Sequence, residues 1–194
     1  MLPRPVGKVN ECQRSGAFHR TGNGIILRPL DLTQSLHHTN GNLIDMSSLF
    51  DLTGKTAIVT GSTRGIGEAI AKRFAEHGAN VVVSSRKADA VDKTTAEINA
   101  DWAKSGNRAI GVPCNISDKA DLQRLVDTTT SEFGQVDILV CNAAVNPVFG
   151  PSADIPDDAF DKIMVSNVKS NHWLCHIGLP QMKERCEGSI SIRS

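Results

Sequence analysis

The chain has 194 residues and no tyrosine, and aromatic side chains of all kinds make up only 4% of it. It has no net charge either, because 21 lysines and arginines balance 21 aspartates and glutamates. The sequence therefore shows no basic footprint for nucleic acid or for an anionic membrane surface. Long apolar runs are also missing, since none approaches the roughly 18 residues of a membrane span. We expect a small-molecule partner, with no nucleic acid and no membrane.

Cysteine is scarce, and the five residues are scattered at Cys12, Cys114, Cys141, Cys175 and Cys186. A small secreted disulfide scaffold needs a denser and even-numbered set. The odd count leaves at least one thiol unpaired, which is typical of a reduced compartment. We therefore predict a cytoplasmic protein.

Residues 1–46 lack a sustained helical or strand period, and prolines and glycines recur through them. Only Ile25-Ile26-Leu27 is strand-like, and no apolar core of about 7–15 residues marks a secretory signal. Basic residues outnumber the single acid Glu11 in the first 30 positions, so a mitochondrial targeting arm is one alternative. A natural start at Met46 is another. We predict an irregular, disordered extension over 1–46 and a folded domain over 47–194.

From Phe50 onward, short apolar runs alternate with segments of helical period. Near-continuous apolar strands are typical of a parallel sheet covered on both faces, and their alternation with helices favours a doubly wound sheet. Ser117 is placed to cap the third helix and Gly134 to end it. The predicted strands are Thr56–Thr60, Asn80–Ser84, Ala109–Cys114, Val136–Cys141 and Ser189–Ile192. The fold class is therefore predicted to be α/β, of the Rossmann type.

A glycine-rich turn follows the first predicted strand and opens the first helix. In this order the glycines let backbone approach a phosphate, and the helix N-terminus aims N–H groups and a partial positive charge at it. The loop Thr60–Gly67 is thus predicted to cradle the phosphates of a dinucleotide. The predicted contacts are Gly61, Ser62, Thr63, Arg64, Gly65, Ile66 and Gly67.

The end of the second strand distinguishes the two nicotinamide cofactors. A ribose with free hydroxyls is held by an acid about 20 residues after the glycines. Ser85 stands near that position and Arg86 follows, so no carboxylate is there to repel a 2′-phosphate. A hydroxyl and a guanidinium would instead accept it, with Arg64 closing from the glycine loop. The predicted cofactor is NADP(H).

Two further turns are predicted to contact the cofactor. Asn115 and Ile116 follow the third strand, where an adenine edge would lie. Asn142, Ala143 and Ala144 follow the fourth strand, at the carboxyl edge where such sheets bind ligands. The small alanines would let the cofactor pass close to backbone, and Asn142 can tie neighbouring strands together.

These residues resemble the short-chain dehydrogenase/reductase family, which carries a Thr-Gly-xxx-Gly-x-Gly loop and an Asn-Ala-Gly-type turn after the fourth strand. Thr60–Gly67 matches the loop, and Asn142–Ala144 matches the turn with Ala144 in place of glycine. Ser84–Lys87 and Asn142–Pro147 are similar to the subgroup of NADP-dependent carbonyl and retinol reductases (dehydrogenase/reductase member 4-like). The resemblance spans 47–194, the N-terminal part of such a domain. It implies hydride exchange with an aldehyde, ketone or secondary alcohol, and a homo-oligomeric full-length form.

The family's catalytic residues are Asn, Ser, Tyr and Lys. Asn167, on an otherwise apolar helical face, matches the Asn, and the resemblance implies that it holds a water in a proton relay. The Tyr-xxx-Lys pair cannot exist in a chain without tyrosine. Ser194 matches the residue just before the catalytic serine, and Ser191 and Arg193 stand where apolar strand residues are expected. We therefore expect a fold incomplete at its C-terminal edge, marginal stability and no dehydrogenase activity.

Other functions and sites are weaker alternatives. The chain could be a non-catalytic dinucleotide-binding or partner-binding module, or an NAD-dependent sugar or polyol dehydrogenase. His172-xx-Cys175-His176 shares one helical face, but without a fourth ligand it is interpreted as core or interface, and no metal site is predicted. Asp157-Asp158 after Pro156 is interpreted as acid at a helix start.

Overall fold

The structure is a computed structural model that describes residues 20–21, 24–25, 50–103 and 106–193. Five strands and five α-helices form the folded domain. The strands are β1 (Thr56–Thr60), β2 (Asn80–Ser84), β3 (Ala109–Gly111), β4 (Ile138–Cys141) and β5 (Ser189–Ile192). The helices are α1 (Gly65–Glu76), α2 (Ala88–Trp102), α3 (Lys119–Phe133), α4 (Asp157–Met164) and α5 (Ser170–Arg185). Within the described part of the chain, no helix is both long and apolar enough to cross a membrane.

The five strands form one parallel sheet in the order β3-β2-β1-β4-β5. The chain moves outward from β1 to β3 and then returns to the other side of β1. This reversal creates a crevice between the ends of β1 and β4, where open α/β sheets bind ligands. The predicted doubly wound, Rossmann-type fold is therefore confirmed.

Two layers of helices cover the sheet because alternate strand residues point to opposite faces. On one face, Ile58 and Val82 pack with residues of α3 and α5. On the other face, Val59 and Val81 pack with residues of α1 and α2. Three central strands thus have both faces buried, which explains their uninterrupted apolar sequence.

Two predicted strands are shorter than expected. The third was predicted to reach Cys114 but ends at Gly111, because Pro113 has no N–H for the ladder. The residues on either side of Pro113 still donate hydrogen bonds toward β2 and the residue after it, from Val112 N to Val83 O and from Cys114 N to Ser85 O, each at 2.9 Å. The fourth was predicted from Val136 but begins at Ile138, and the Val136 N–H bonds the Gln181 side chain instead.

The cap of α3 was assigned to the wrong residue. Asp118, rather than Ser117, is the N-cap, and its Oδ1 accepts from Ala120 N at 2.8 Å. The Ser117 hydroxyl instead lies 2.9 Å from the Ser166 hydroxyl, across from α3. Gly134 does end the helix in the left-handed conformation, at φ 82°. Asp157 and Asp158 lie in the first turn of α4, as expected.

The segment around Asn167 is a π-helical turn, Val165–Lys169, between α4 and α5. The apolar face predicted around Asn167 is largely exposed, with Phe160 at 52% and Val168 at 54%. His172 and His176 are also exposed on α5, so of the predicted core or interface positions the core is wrong for both and the interface stays a prediction. Their rings stack at 6.3 Å between centroids.

The N-terminal extension lies almost entirely outside the described residues. Its exception is a two-residue antiparallel ladder between Arg20–Thr21 and Gly24–Ile25. Ile25 of the predicted strand-like run is therefore in a strand, while residues 26–27 are outside the described part. The predicted disorder of 1–46 stays a prediction.

Candidate functional site

A cavity of about 800 Å³ opens at the carboxyl ends of the strands. The glycine loop between β1 and α1 forms its floor, and the segments that follow β2, β3, β4 and β5 form its sides. Asp161 and Lys162 on α4 and Val165 and Ser166 on the π-helical turn complete the wall. The cavity therefore lies at the crevice that the strand order creates.

The glycine loop packs closely around two of its glycines, and at Gly67 it leaves no room for a side chain. A Cβ on Gly67 would lie 2.3 Å from the Gly61 carbonyl oxygen and 2.5 Å from the Asn142 amide nitrogen. Gly61 has φ +67°, and a Cβ there would lie 3.0 Å from the Ala143 Cα. These close approaches bring the start of α1 against the ends of β1 and β4, as phosphate cradles of this fold require.

The first turn of α1 is left open to a ligand. Its N-cap, Arg64, makes no side-chain cap hydrogen bond. The first N–H groups of a helix have no partner within the helix, and the helix dipole adds a partial positive charge there. Since Arg64, Ile66 and Gly67 all line the cavity, this helix end is suited to an anion such as a phosphate.

Asn142 and Thr60 join the ends of β4 and β1. The Asn142 side-chain amide donates to the Thr60 carbonyl at 3.0 Å. The Thr60 hydroxyl accepts from Asn142 N at 3.0 Å and from Ala143 N at 3.1 Å. These bonds satisfy backbone groups where the two strands diverge, so they fix the shape of the crevice.

Ser62, in the glycine loop, does not line the cavity but joins the end of β1 to the end of β2. Its buried hydroxyl donates to Val59 O at 2.7 Å and accepts from Ser84 N at 2.9 Å. These hydrogen bonds fix Ser84, and so they position the two residues that follow it, Ser85 and Arg86, which both line the cavity. No acid follows β2 until Asp89, in the first turn of α2.

The cavity wall carries four cations and one acid. The acid is Asp161, and the cations are Arg64, Arg86, Lys162 and Arg193. Among the described residues, none of these four side chains forms an ion pair or a hydrogen bond, whereas cations elsewhere, such as Lys72 and Arg108, are paired. In a chain of zero net charge, this unpaired positive charge makes the cavity suited to a polyanion.

The end of β3 provides a second set of polar groups. Asn115 lines the cavity, and its side-chain oxygen accepts from Ser117 N at 3.2 Å. This hydrogen bond uses the oxygen only, so the side-chain N–H₂ group can still donate to a ligand. Burial raises the pKa of the neighbouring Cys114 thiol to about 11, so this cavity residue stays protonated near neutral pH. Cys114 is therefore no candidate nucleophile, because the thiolate is the reactive form.

Asn167 supports the cavity from behind. Its side-chain oxygen accepts from Val145 N at 2.8 Å, and its amide donates to Val145 O at 2.9 Å. Both side-chain groups are thus committed to the segment that follows β4. The backbone carbonyl of Asn167 accepts from the Asn171 side chain at 2.7 Å, and that of Ser166 accepts from the Ser170 hydroxyl at 2.5 Å. These two side chains satisfy carbonyls at the π-helical turn.

The cavity brings together most of the residues predicted from the sequence. Ser62, Gly65 and Asn167 do not line it, and the other predicted residues do. Sequence reasoning missed the lining residues Ser84, Cys114, Ser117, Val145, Asp161, Lys162, Val165, Ser166 and Arg193. The only sequence signal for Arg193 was its charge at a strand position where an apolar residue was expected.

Comparison with known proteins agrees with this geometry. Residues 55–193 match the family model described as short chain dehydrogenase. The chain is 45% identical over 143 residues to dehydrogenase/reductase SDR family member 4 of Bos taurus, covering 74% of this chain and 50% of that protein. It is 43% identical to the protein of the same name in Homo sapiens, with the same coverage. The chain thus spans about half the length of the curated relatives it matches.

Solved structures give the same result. A hydroxysteroid dehydrogenase from Escherichia coli is 38% identical with a TM-score of 0.67, over 74% of this chain and 57% of that one. A 7α-hydroxysteroid dehydrogenase, solved with NADH and 7-oxo glycochenodeoxycholic acid, is 37% identical with a TM-score of 0.66, over 73% and 53%. The family predicted from the glycine loop and the Asn142 turn is confirmed: the chain belongs to the short-chain dehydrogenases, a family of oxidoreductases.

Proposed function

We propose that this chain binds NADP(H) in the cavity at the carboxyl edge of its sheet, as the nucleotide-binding portion of a carbonyl/alcohol oxidoreductase. The observation that carries the proposal is a pair of unpaired guanidiniums on the cavity wall, Arg64 in the glycine loop and Arg86 after the end of β2, with no carboxylate next to either in the chain. A guanidinium binds a phosphate with charge-assisted, bidentate hydrogen bonds. The glycine loop and the open start of α1 would hold the pyrophosphate.

The substrate of the oxidoreductase would be an aldehyde, a ketone or a secondary alcohol. The name of the bovine and human relatives is that of a dehydrogenase/reductase, which supports this class of reaction. A nicotinamide cofactor would supply the hydride. Of the family's catalytic residues, this chain offers Asn167, whose contacts with Val145 make it a positioning residue for the cofactor edge.

The chain contains no tyrosine, and the family's proton donor is a tyrosine. We therefore propose that the 194-residue chain binds the cofactor without turning over a carbonyl substrate. NADPH consumption, measured at 340 nm with an aromatic ketone, should not exceed the rate of a blank without protein. Turnover above that rate would contradict this part of the proposal.

Cofactor choice can be tested by isothermal titration with NADPH and NADH. The wild-type chain should bind NADPH more tightly. In Arg86→Asp, a carboxylate would face the 2′-phosphate, so NADPH affinity should fall at least tenfold while NADH affinity stays within about threefold.

A matched control makes this test specific to the cavity. Lys87→Asp introduces the same charge change one residue further on, at an exposed position that does not line the cavity. It should lower NADPH affinity clearly less than Arg86→Asp does, because the Lys87 side chain does not line the cavity. Equal ratios of NADPH to NADH affinity in wild type and Arg86→Asp would overturn the choice of NADP(H).

The remaining properties are also proposals. We propose a cytoplasmic location and a homo-oligomeric assembly. One relative, 40% identical over 74% of this chain, is the mitochondrial dehydrogenase/reductase SDR family member 2 of Homo sapiens. Fluorescent fusions of residues 1–46 and of residues 47–194 would separate the alternatives, since only a targeting arm would carry the reporter into mitochondria.

A further inference from the structure

Arg193 is a cavity residue that the proposed binding of the 2′-phosphate leaves without a role. Its backbone N–H donates to Cys141 O at 3.0 Å, which holds it beside the end of β4. Its side chain is exposed, lines the cavity, and forms no ion pair or hydrogen bond within the described part of the chain. It is therefore a free cation at a defined place on the cavity wall.

The strand order separates Arg193 from the proposed phosphate site. Arg86 follows β2 and Arg193 follows β5, so three strand spacings, about 14 Å, lie between the two backbones. The glycine loop follows β1, between them. A dinucleotide whose 2′-phosphate lies at Arg86 and whose pyrophosphate lies at the glycine loop would extend its nicotinamide half toward β4 and β5. Among the cations of the cavity wall, Arg193 is the one that follows β5.

A cation on the nicotinamide side distinguishes the two redox states of the cofactor. The oxidised nicotinamide ring carries one positive charge, and the reduced ring is neutral. A nearby guanidinium repels the oxidised ring and leaves the reduced ring unaffected. The neighbouring wall, Asn142, Ala143, Ala144 and Val145, is uncharged. The one acid of the cavity wall, Asp161, is followed in the chain by a further cation, Lys162, so the two together add no net negative charge.

We propose that Arg193 determines redox-state specificity, so that the chain binds NADPH in preference to NADP⁺. The inference rests on the proposed NADP(H) site and adds a redox preference to it. A wall that repels the oxidised ring raises the reduction potential of the bound cofactor, so it holds the bound cofactor in its reduced form.

The test is the ratio of the two dissociation constants, Kd for NADP⁺ over Kd for NADPH, measured by titration at low ionic strength. For two unit charges near a solvated surface, we expect Arg193→Gln to lower this ratio about three- to tenfold. The change should come from tighter NADP⁺ binding. Arg193→Lys keeps the charge, so it should keep most of the wild-type ratio.

Two controls separate this effect from others. Lys183→Gln removes an exposed charge on α5 outside the cavity, and it should leave the ratio unchanged. In 1 M salt, where the Debye length is about 3 Å, the difference between wild type and Arg193→Gln should nearly vanish.

The outcomes distinguish the inference from the function on which it rests. An unchanged ratio in Arg193→Gln, with NADPH binding that still depends on Arg86, overturns the inference and leaves the proposed function intact. A wild-type chain that binds neither cofactor overturns both. A lowered ratio that Arg193→Lys does not restore also overturns the inference, since charge would not be the cause.

Discussion

β1 and β5 pair in parallel with the same neighbour, β4, yet they differ in burial. All five residues of β1 are buried, and Ile58 and Val59 are fully inaccessible. Three of the four residues of β5 are exposed, and Ile190 is half-buried. Hydrogen bonding therefore places both strands, but helices on both faces anchor only β1. The glycine loop thus follows the most strongly anchored strand of the sheet, whereas Arg193 follows the least anchored one.

The largest expected effect comes from equal truncations in the two strands. Ile58→Ala removes a fully buried side chain from the core and should lower the free energy of unfolding by about 2–5 kcal/mol. Ile192→Ala acts on a side chain that is 59% exposed, and it should change stability by less than about 0.5 kcal/mol. Urea unfolding followed by circular dichroism measures both values. Similar losses in the two variants would show that β5 is as well anchored as β1.

A smaller effect is expected at the glycine loop. In Gly67→Ala, a Cβ would collide with the Gly61 carbonyl and the Asn142 amide. The greater helix propensity of alanine offers at most about 1 kcal/mol in return, so we expect a net loss of about 1–3 kcal/mol. Because the collision lies in the phosphate cradle, NADPH affinity should fall at least tenfold.

Gly150→Ala is the matched control for that substitution. Gly150 lies in a loop where an added Cβ meets nothing within 4 Å and φ is not positive. Its stability should stay within about 0.5 kcal/mol of wild type, with NADPH affinity unchanged. If Gly67→Ala bound NADPH as tightly as Gly150→Ala does, the loop would not be a cradle.

Local sequence patterns predicted the anchored part of the molecule well. The bounds of β1 and β2 match the prediction, and so do those of β5. In β1 and β2 the signal was an apolar run of three residues, which burial on both faces requires. The glycine loop was predicted for a similar reason, since its spacing is imposed by backbone approach. Where one short segment dictates its own structure, sequence alone suffices.

The features that the sequence did not predict depend mostly on contacts between segments that are distant in the chain. Ser117 does not cap α3; its hydroxyl is hydrogen-bonded to that of Ser166, which is 49 residues away in the chain. The π-helical turn at Asn167 follows no residue period, and the side chains that satisfy its carbonyls come from the next turn. Arg193 joins the cavity only through the strand order, which one strand does not reveal.

The smallest effect concerns the cysteine at the end of the third strand. Burial is the main cause that raises the pKa of the Cys114 thiol from 9.0 to about 11. Between these values the unfolded chain has lost the thiol proton while the folded chain keeps it, so stability must fall as pH rises. From pH 9 to pH 10 this thiol should account for a loss of about 1 kcal/mol.

Cys114→Ala tests whether this thiol causes the pH dependence. The measurement is the change in the free energy of unfolding with pH, so a constant loss of packing energy in the variant does not affect it. Its free energy of unfolding should fall by about 1 kcal/mol less than that of wild type between pH 9 and pH 10. Val112→Ala, a truncation at a buried neighbour without a thiol, should keep the wild-type slope. Equal slopes in wild type and Cys114→Ala would mean that the thiol is hydrated in the folded chain. The cavity wall after β3 would then be exposed to solvent, like β5, and not buried, like β1.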